Sequence, residues 1–214
     1  MSVIAPAILT ENVLDFNEKL GMVQQFAQRL HVDISDGEFA PSFTVGINDI
    51  SWTPEMEVDI HAMVARPSEH VQSLVAKKPN LIIFHAEVQE DLGPIIQYIK
   101  QYGVKAGIAL QRPTVPSSVA PLIEMADHVM IFTGDLGHYG GVASLMQLEK
   151  VRLIHAIRPN IEIGWDGGVN VDNAFSLAQG GVDVLNVGGA IAKSADPAAT
   201  YAQLVGEINK KGVI

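Results

Sequence analysis

Short runs of β-branched and apolar residues alternate with longer stretches of helical periodicity from one end of the chain to the other. This is the pattern of repeated βα units around a parallel sheet. The runs predict eight strands: Val3 to Leu9, Leu30 to Ser35, Val58 to Val64, Leu81 to Ala86, Lys105 to Leu110, His128 to Thr133, Ile161 to Trp165 and Val182 to Val187. Helical stretches lie between them. In the first, Leu14, Leu20, Val23, Phe26 and Ala27 share one face. In a later one, Asn170 is placed as N-cap before Ala174, Leu177 and Ala178, with Gly180 as the stop. Eight such units in 214 residues fit a small α/β fold of the (β/α)8 TIM-barrel kind. No linker or composition shift interrupts the rhythm, so one domain over residues 1–214 is expected. The segment Asp36 to Pro54 departs from it: Gly37, Pro41, Gly46 and Pro54 leave room for a short helix only. A long loop at that end of a barrel is expected to cover substrate.

In such a barrel the downstream strand ends gather at one mouth, where residues distant in sequence meet. Because side chains alternate along a strand, His31 and Asp33 point to the axis while Val32 and Ile34 point to the helices. The same alternation puts Asp59, His61 and Met63 inward on the third strand, with His61 nearer the mouth. Asp166 closes the seventh strand just before Gly167 and Gly168. Two imidazoles and two carboxylates therefore converge. His31, Asp33, His61 and Asp166 suit one divalent ion, zinc first, with manganese, iron or cobalt as alternatives. Four protein ligands also fit a closed structural zinc site. Two acids on opposite sides of an open mouth favour proton transfer instead, with Asp33 and Asp166 as the catalytic pair and His61 counted among the substrate contacts.

Glycine pairs follow the last two strands, Gly167-Gly168 and Gly188-Gly189, and Gly137, Gly140 and Gly141 follow the sixth. At these places barrel enzymes hold a phosphate on backbone N–H groups, which glycine allows to approach closely. Singly, each glycine reads as an ordinary turn; on three consecutive strand ends they read as an anion site. His138 sits within the first of these turns. His85 and Glu87 end the fourth strand as supporting or structural groups, whereas His70, His128 and His155 show no clustered partners.

Composition narrows the field. Hydrophobic residues make up 48% and charged residues 18%, ample for a core. There is no cysteine, so disulfides, thiolate metal sites and thiol nucleophiles are excluded. The formal net charge of -10 is scattered rather than blocked, which disfavours nucleic acid and anionic membranes but leaves an anionic small substrate open. The start, Met1 to Pro6, shows no basic region, and no apolar run reaches the roughly 18 residues of a membrane span. A cytoplasmic location is expected.

The motifs also carry a family resemblance over nearly the whole chain. Leu30-His-Val-Asp-Ile-Ser-Asp-Gly-Glu-Phe-Ala-Pro-Ser-Phe-Thr-Val-Gly46, Val58-Asp-Ile-His-Ala-Met-Val64, Phe84-His-Ala-Glu87, Gly103 to Leu110, Trp165-Asp-Gly-Gly168 and Val187-Gly-Gly-Ala-Ile191 stand in the order of the ribulose-phosphate 3-epimerase family, which the chain resembles. The resemblance implies a ribulose-phosphate-binding barrel with a metal held by His31, Asp33, His61 and Asp166. It implies that Asp33 and Asp166 remove and return the C3 proton of a ketose phosphate through an enediolate, in carbohydrate metabolism of the pentose phosphate pathway. The simplest substrates are D-ribulose 5-phosphate and D-xylulose 5-phosphate.

The chain departs from the family pattern in the pocket. Pro6-Ala7-Ile8-Leu9 stands for Pro-Ser-Ile-Leu, and Ser35 and Phe132 replace methionines, while Met63 is kept and Ala62 stands for leucine. Leu136-Gly-His-Tyr-Gly-Gly141 stands for Pro-Gly-Phe-Gly-Gly, aligned either without a gap or with one inserted residue. These changes motivate an alternative six-carbon substrate such as allulose 6-phosphate. A non-catalytic sugar-phosphate-binding barrel is a further alternative. Decarboxylases and synthases of this barrel type are disfavoured, because His31-Val-Asp-Ile-Ser-Asp36 lacks the lysine of their Asp-x-Lys-x-x-Asp motif. Association into a homo-oligomer is expected of small barrels.

Overall fold

A computed structural model describes residues 2–210. The expected domain bounds, 1–214, and the start at Met1 reach residues outside that range. Eight strands, β1 (Val3–Ile8), β2 (Arg29–Ser35), β3 (Glu57–Met63), β4 (Leu81–His85), β5 (Lys105–Leu110), β6 (His128–Phe132), β7 (Glu162–Asp166) and β8 (Val184–Val187), pair in parallel in sequence order and close into a barrel. Between them run α1 (Val13–Val23), α2 (Pro67–Ala76), α3 (Leu92–Gln101), α4 (Ala120–Met125), α5 (Glu149–Ile157) and α6 (Val171–Gln179). A short α7 (Gly189–Ala192) and α8 (Pro197–Ile208) follow β8. This is a TIM barrel. None of the described helices is long and apolar enough to cross a membrane.

The alternation of side chains divides the interior in two. Outward residues of the strands, such as Val32, Ile60, Ile82, Ile108, Val129, Ile163 and Leu185, pack with the helices into the main core. Inside the barrel, Leu81, Ile83, Ala109, Met130 and Phe132 form a smaller apolar cluster. Both faces of each strand are thus covered, which is why the strands read as continuous apolar runs.

The helix caps follow the sequence. Asn170 accepts from the N–H groups of Asp172 and Asn173, while Asn173 Oδ1 accepts from Asn170 N–H, a complete capping box, and α6 ends at Gly180. The first helix differs from expectation. It ends at Val23, so Phe26 and Ala27 lie beyond it, and Leu14 is 81% exposed. Phe16 and Val23, seven residues apart, make its buried face, and the helical period puts Leu14 on the side opposite Val23. The segment after β2 holds one 3-10 turn, Ile47–Asp49, and sends Val45, Ile47 and Ile50 into the core.

His128, expected to stand alone, belongs to a network that closes the barrel floor. Its Nδ1 lies 2.7 Å from Glu162 Oε2, and Arg29 donates two hydrogen bonds of 2.9 Å to the same carboxylate. Arg29 Nε also donates to Asp59 at 2.6 Å, and Asn80 donates to the other Asp59 oxygen. The sequence conceals the cluster because its members come from four strands and the turn before β4, and only barrel closure joins β2 to β7.

Burial works against the Glu162 charge, but Arg29 and His128 outweigh it and hold its carboxyl far below the usual range. Such a group contributes stability that is present above its unfolded pKa and lost as pH falls toward the folded value. Glu162→Gln is expected to cost about 2 kcal/mol at pH 7, less than the roughly 3–5 kcal/mol of a fully buried pair, since the side chain keeps 29% exposure. The gap between wild type and variant should narrow below about pH 4, as read by urea unfolding at several pH values.

Candidate active site

Strand register assembles the cluster. On β2 and β3, Asp33 stands beside His61, and on β6, β7 and β8 Phe132, Asp166 and Asn186 stand side by side. Barrel closure then brings Asp166 across to the β2–β3 pair. One ligand atom each from His31, Asp33, His61 and Asp166 lies within 4.8 Å of all the others. His61 Nδ1 is 2.9 Å from Asp33 Oδ1 and 3.7 Å from Asp166 Oδ2; His31 Nε2 is 3.3 Å and 3.8 Å from the same two oxygens. Both imidazoles are fully buried, and neither nitrogen of His31 has a hydrogen-bond partner.

An unpartnered buried imidazole is costly. Here its Nε2 faces two carboxylates at distances that leave room for a cation, so the structure fits a divalent metal on two nitrogen and two oxygen donors. The local field also separates the two acids. Burial favours the neutral form of Asp33, yet His31 and His61 outweigh it and hold this carboxyl well below the usual range. Burial pushes Asp166 up, and the Asp33 charge adds to that against the pull of the imidazoles. For His31, burial is outweighed by Asp33 and Asp166, which raise its pKa. Two carboxyls driven apart in acidity are the arrangement of an acid and a base.

Beside the cluster opens a cavity of about 270 Å³. Asp33, Asp166 and Met63 line its inner end, and all seven glycines singled out in the sequence, Gly137, Gly140, Gly141, Gly167, Gly168, Gly188 and Gly189, line its walls with His138. His31 and His61 lie beneath the lining rather than in it. Among the described residues no lysine or arginine lines the cavity, so an anion there depends on backbone N–H groups and any bound cation. The N–H of Gly168 is already given to Gly140 O at 3.1 Å; that glycine contributes shape instead.

Two lining residues carry chemistry that the motifs did not single out. Tyr139 accepts from Leu9 N–H at 2.7 Å and donates to Ala7 O at 3.2 Å, with its ring against Gly188. Its place depends on a turn with two adjacent left-handed glycines, Gly140 and Gly141, which no strand or helix period reports. Asn186, buried on β8, donates to Met130 Sδ at 3.3 Å and leaves Oδ1 unpartnered. The inward alternation of β8 was the signal for it. Ser35 turns away and donates to Ser42 O at 2.6 Å. The loop after β2 packs on the site from outside: Phe39 lies on the His85 ring, and Ser42 donates to Gly137 O at 2.8 Å.

His85 joins the cluster from β4. Its Nε2 lies 2.8 Å from His61 Nε2 and its Nδ1 3.2 Å from Glu87 Oε2. Burial pushes its pKa down to about 4. Burial raises Glu87, but its bonds to His85, Thr114 and Gln111 N–H prevail and keep it below the ordinary value.

A closed parallel barrel with paired acids, a metal-compatible cluster and a glycine-walled cavity at the strand ends is an arrangement suited to moving protons on a small molecule. Comparison with known proteins agrees. The model of the Ribulose-phosphate 3 epimerase family matches residues 3–192. Ribulose-phosphate 3-epimerase of Helicobacter pylori is 32% identical over 201 residues, covering 90% of this chain and 92% of its own. The cytoplasmic isoform of Oryza sativa subsp. japonica is 30% identical over 209 residues, covering 94% and 92%. The chain belongs to the ribulose-phosphate 3-epimerase family. Among solved structures, 3-hexulose-6-phosphate synthase from Salmonella typhimurium superposes with a TM-score of 0.72 over 96% of this chain and 98% of its own, at 19% identity, a likeness of fold.

The turns after β6 and β7 touch backbone to backbone. Gly167 has φ +103, and a Cβ there would collide with Gly134. Gly167→Ala should therefore cost at least about 2 kcal/mol, a fall in Tm on the order of 4–8 °C by thermal denaturation.

Proposed function

We propose that this protein is a metal-dependent ketose-phosphate 3-epimerase that interconverts D-ribulose 5-phosphate and D-xylulose 5-phosphate. The observation that carries the reading is the meeting of Asp33 and Asp166 with His31 and His61 at the inner end of the glycine-walled cavity. A proton beside a ketone is only weakly acidic, so its removal needs a positioned base and stabilisation of the negative charge that develops. Asp33, held ionised, takes the C3 proton from one face. Asp166, whose acidity is weakened, holds the proton that returns to the other face, and the reverse reaction exchanges the roles. His31, Asp33, His61 and Asp166 would hold a divalent cation, zinc first given two imidazole donors and manganese, iron or cobalt as alternatives, which would supply positive charge against the negative charge that develops.

The glycine turns receive the phosphate on their backbone, in a cavity whose carboxylates Asp33, Asp135 and Asp166 would otherwise repel it. The five-carbon substrate is favoured by what fills the cavity. Phe132 and Tyr139 line it, so two aromatic rings bound the space left for the sugar.

Proton NMR of D-ribulose 5-phosphate with zinc-loaded protein in D2O should show loss of the C3 signal and growth of xylulose 5-phosphate. No exchange with any pentulose or hexulose phosphate, despite bound metal, would overturn the reading. Asp33→Asn and Asp166→Asn are each expected to lower kcat/KM by on the order of 10²–10⁴. Chelation of the metal should abolish turnover, and added zinc should restore it.

A further inference from the structure

His85 is fully buried beside the cluster, yet the reaction gives it no proton to move. Its ring lies between Phe39 and Phe132, at centroid distances of 4.8 and 5.2 Å, surroundings that favour a neutral imidazole with a single N–H. The direction of each hydrogen bond along Glu87, His85 and His61 then follows by accounting for protons.

Glu87 Oε1 accepts from the Gln111 N–H at 2.8 Å and from the Thr114 hydroxyl, which fixes the carboxylate. Its Oε2 faces His85 Nδ1 at 3.2 Å. A carboxylate only accepts, so the proton of His85 sits on Nδ1. His85 Nε2 is left bare and accepts. The atom facing it at 2.8 Å is His61 Nε2, which must donate. His61 thereby carries a proton on Nε2, and its Nδ1, 2.9 Å from Asp33 Oδ1 and 3.7 Å from Asp166 Oδ2, holds a second proton toward Asp33 in the metal-free protein, the one a metal ion would displace.

We propose that Glu87 and His85 are positioning residues that set the tautomer of His61, so that His61 offers Nδ1 to a metal ion. This rests on the reading of His61 as a ligand. Orienting partners of this kind fix which nitrogen of a histidine is free to bind.

Glu87→Gln reverses the chain at near-constant shape. The new amide keeps its oxygen on the Gln111 N–H and turns its NH2 toward His85 Nδ1, which now must accept. The proton of His85 moves to Nε2, and His61 is left protonated on Nδ1 alone. In protein labelled with 15N-histidine, NMR is expected to place the His85 proton on Nδ1 in the wild type, metal-free or zinc-loaded, and on Nε2 in the variant. Zinc affinity, measured by competition with a chromophoric chelator, should fall about 10- to 100-fold in Glu87→Gln while circular dichroism is unchanged.

A wild-type His85 carrying its proton on Nε2 would overturn the proposal, as would a folded Glu87→Gln protein that binds zinc as tightly as wild type. If the variant does not fold, the wild-type spectrum alone decides. Failure of wild-type protein to bind zinc or any other divalent ion would instead remove the metal reading, and the His85 tautomer in metal-free protein would still test the relay.

Discussion

Two carboxylates and two buried imidazoles held within a few ångströms of each other at the inner end of a cavity set the terms for the rest of this structure. Isolated, such groups would be strongly disfavoured in a protein interior. Their cost must be met by each other, by a cation, or by more stable parts of the fold. The barrel meets it through rigidity: β2, β3 and β7 are locked in register by their neighbours, so the acids cannot move apart without opening the sheet. That rigidity also keeps Asp33 and Asp166 unequal, because each sits in a different balance of desolvation and imidazole charge.

The two ends of the barrel solve the same electrostatic problem differently. At the floor, Arg29 brings a permanent positive charge to Asp59 and Glu162, and His128 and Asn80 occupy further acceptor sites. The charges there are matched within the chain. At the mouth no lysine or arginine among the described residues lines the cavity, and His31 keeps two unpartnered nitrogens. The floor is built to stay closed, while the mouth is built to receive charge from outside the polypeptide. This contrast follows from sequence position: Arg29 and His31 lie two residues apart on one strand face, yet belong to different layers.

Much of this was legible in the chain. All eight strands could be placed because a parallel strand buried on both faces produces a continuous apolar run, and their ends differ from expectation by two residues at most. The inward positions of His31, Asp33 and His61 followed from alternation, and that of Asp166 from its place at the end of the seventh strand before Gly167 and Gly168. What stayed hidden depends on contacts across the closed barrel or on turn geometry. Leu14 was grouped with the apolar face on paper, but it lies half a turn from Val23 and faces the surface. The partners of His128 come from strands far apart in sequence. The place of Tyr139 rests on glycine conformations that no periodicity records, and the bond between His85 and His61 requires the adjacent strands β3 and β4 to be known as neighbours in detail.

The close approach of Gly134 to Gly167 carries a consequence for how a barrel of this kind can change over time. With no space for a side chain between them, the turns after β6 and β7 behave as one piece, further joined by the bonds from Thr133 to Asp166 O and Gly167 O and from Gly168 to Gly140. Lengthening or exchanging one turn alone would unseat the other. Variation is therefore confined to the tip, His138 and Tyr139, which reaches across to β1 without passing through the interlock. A lineage could reshape the cavity there by single substitutions, whereas grafting a foreign turn would succeed only as a matched pair.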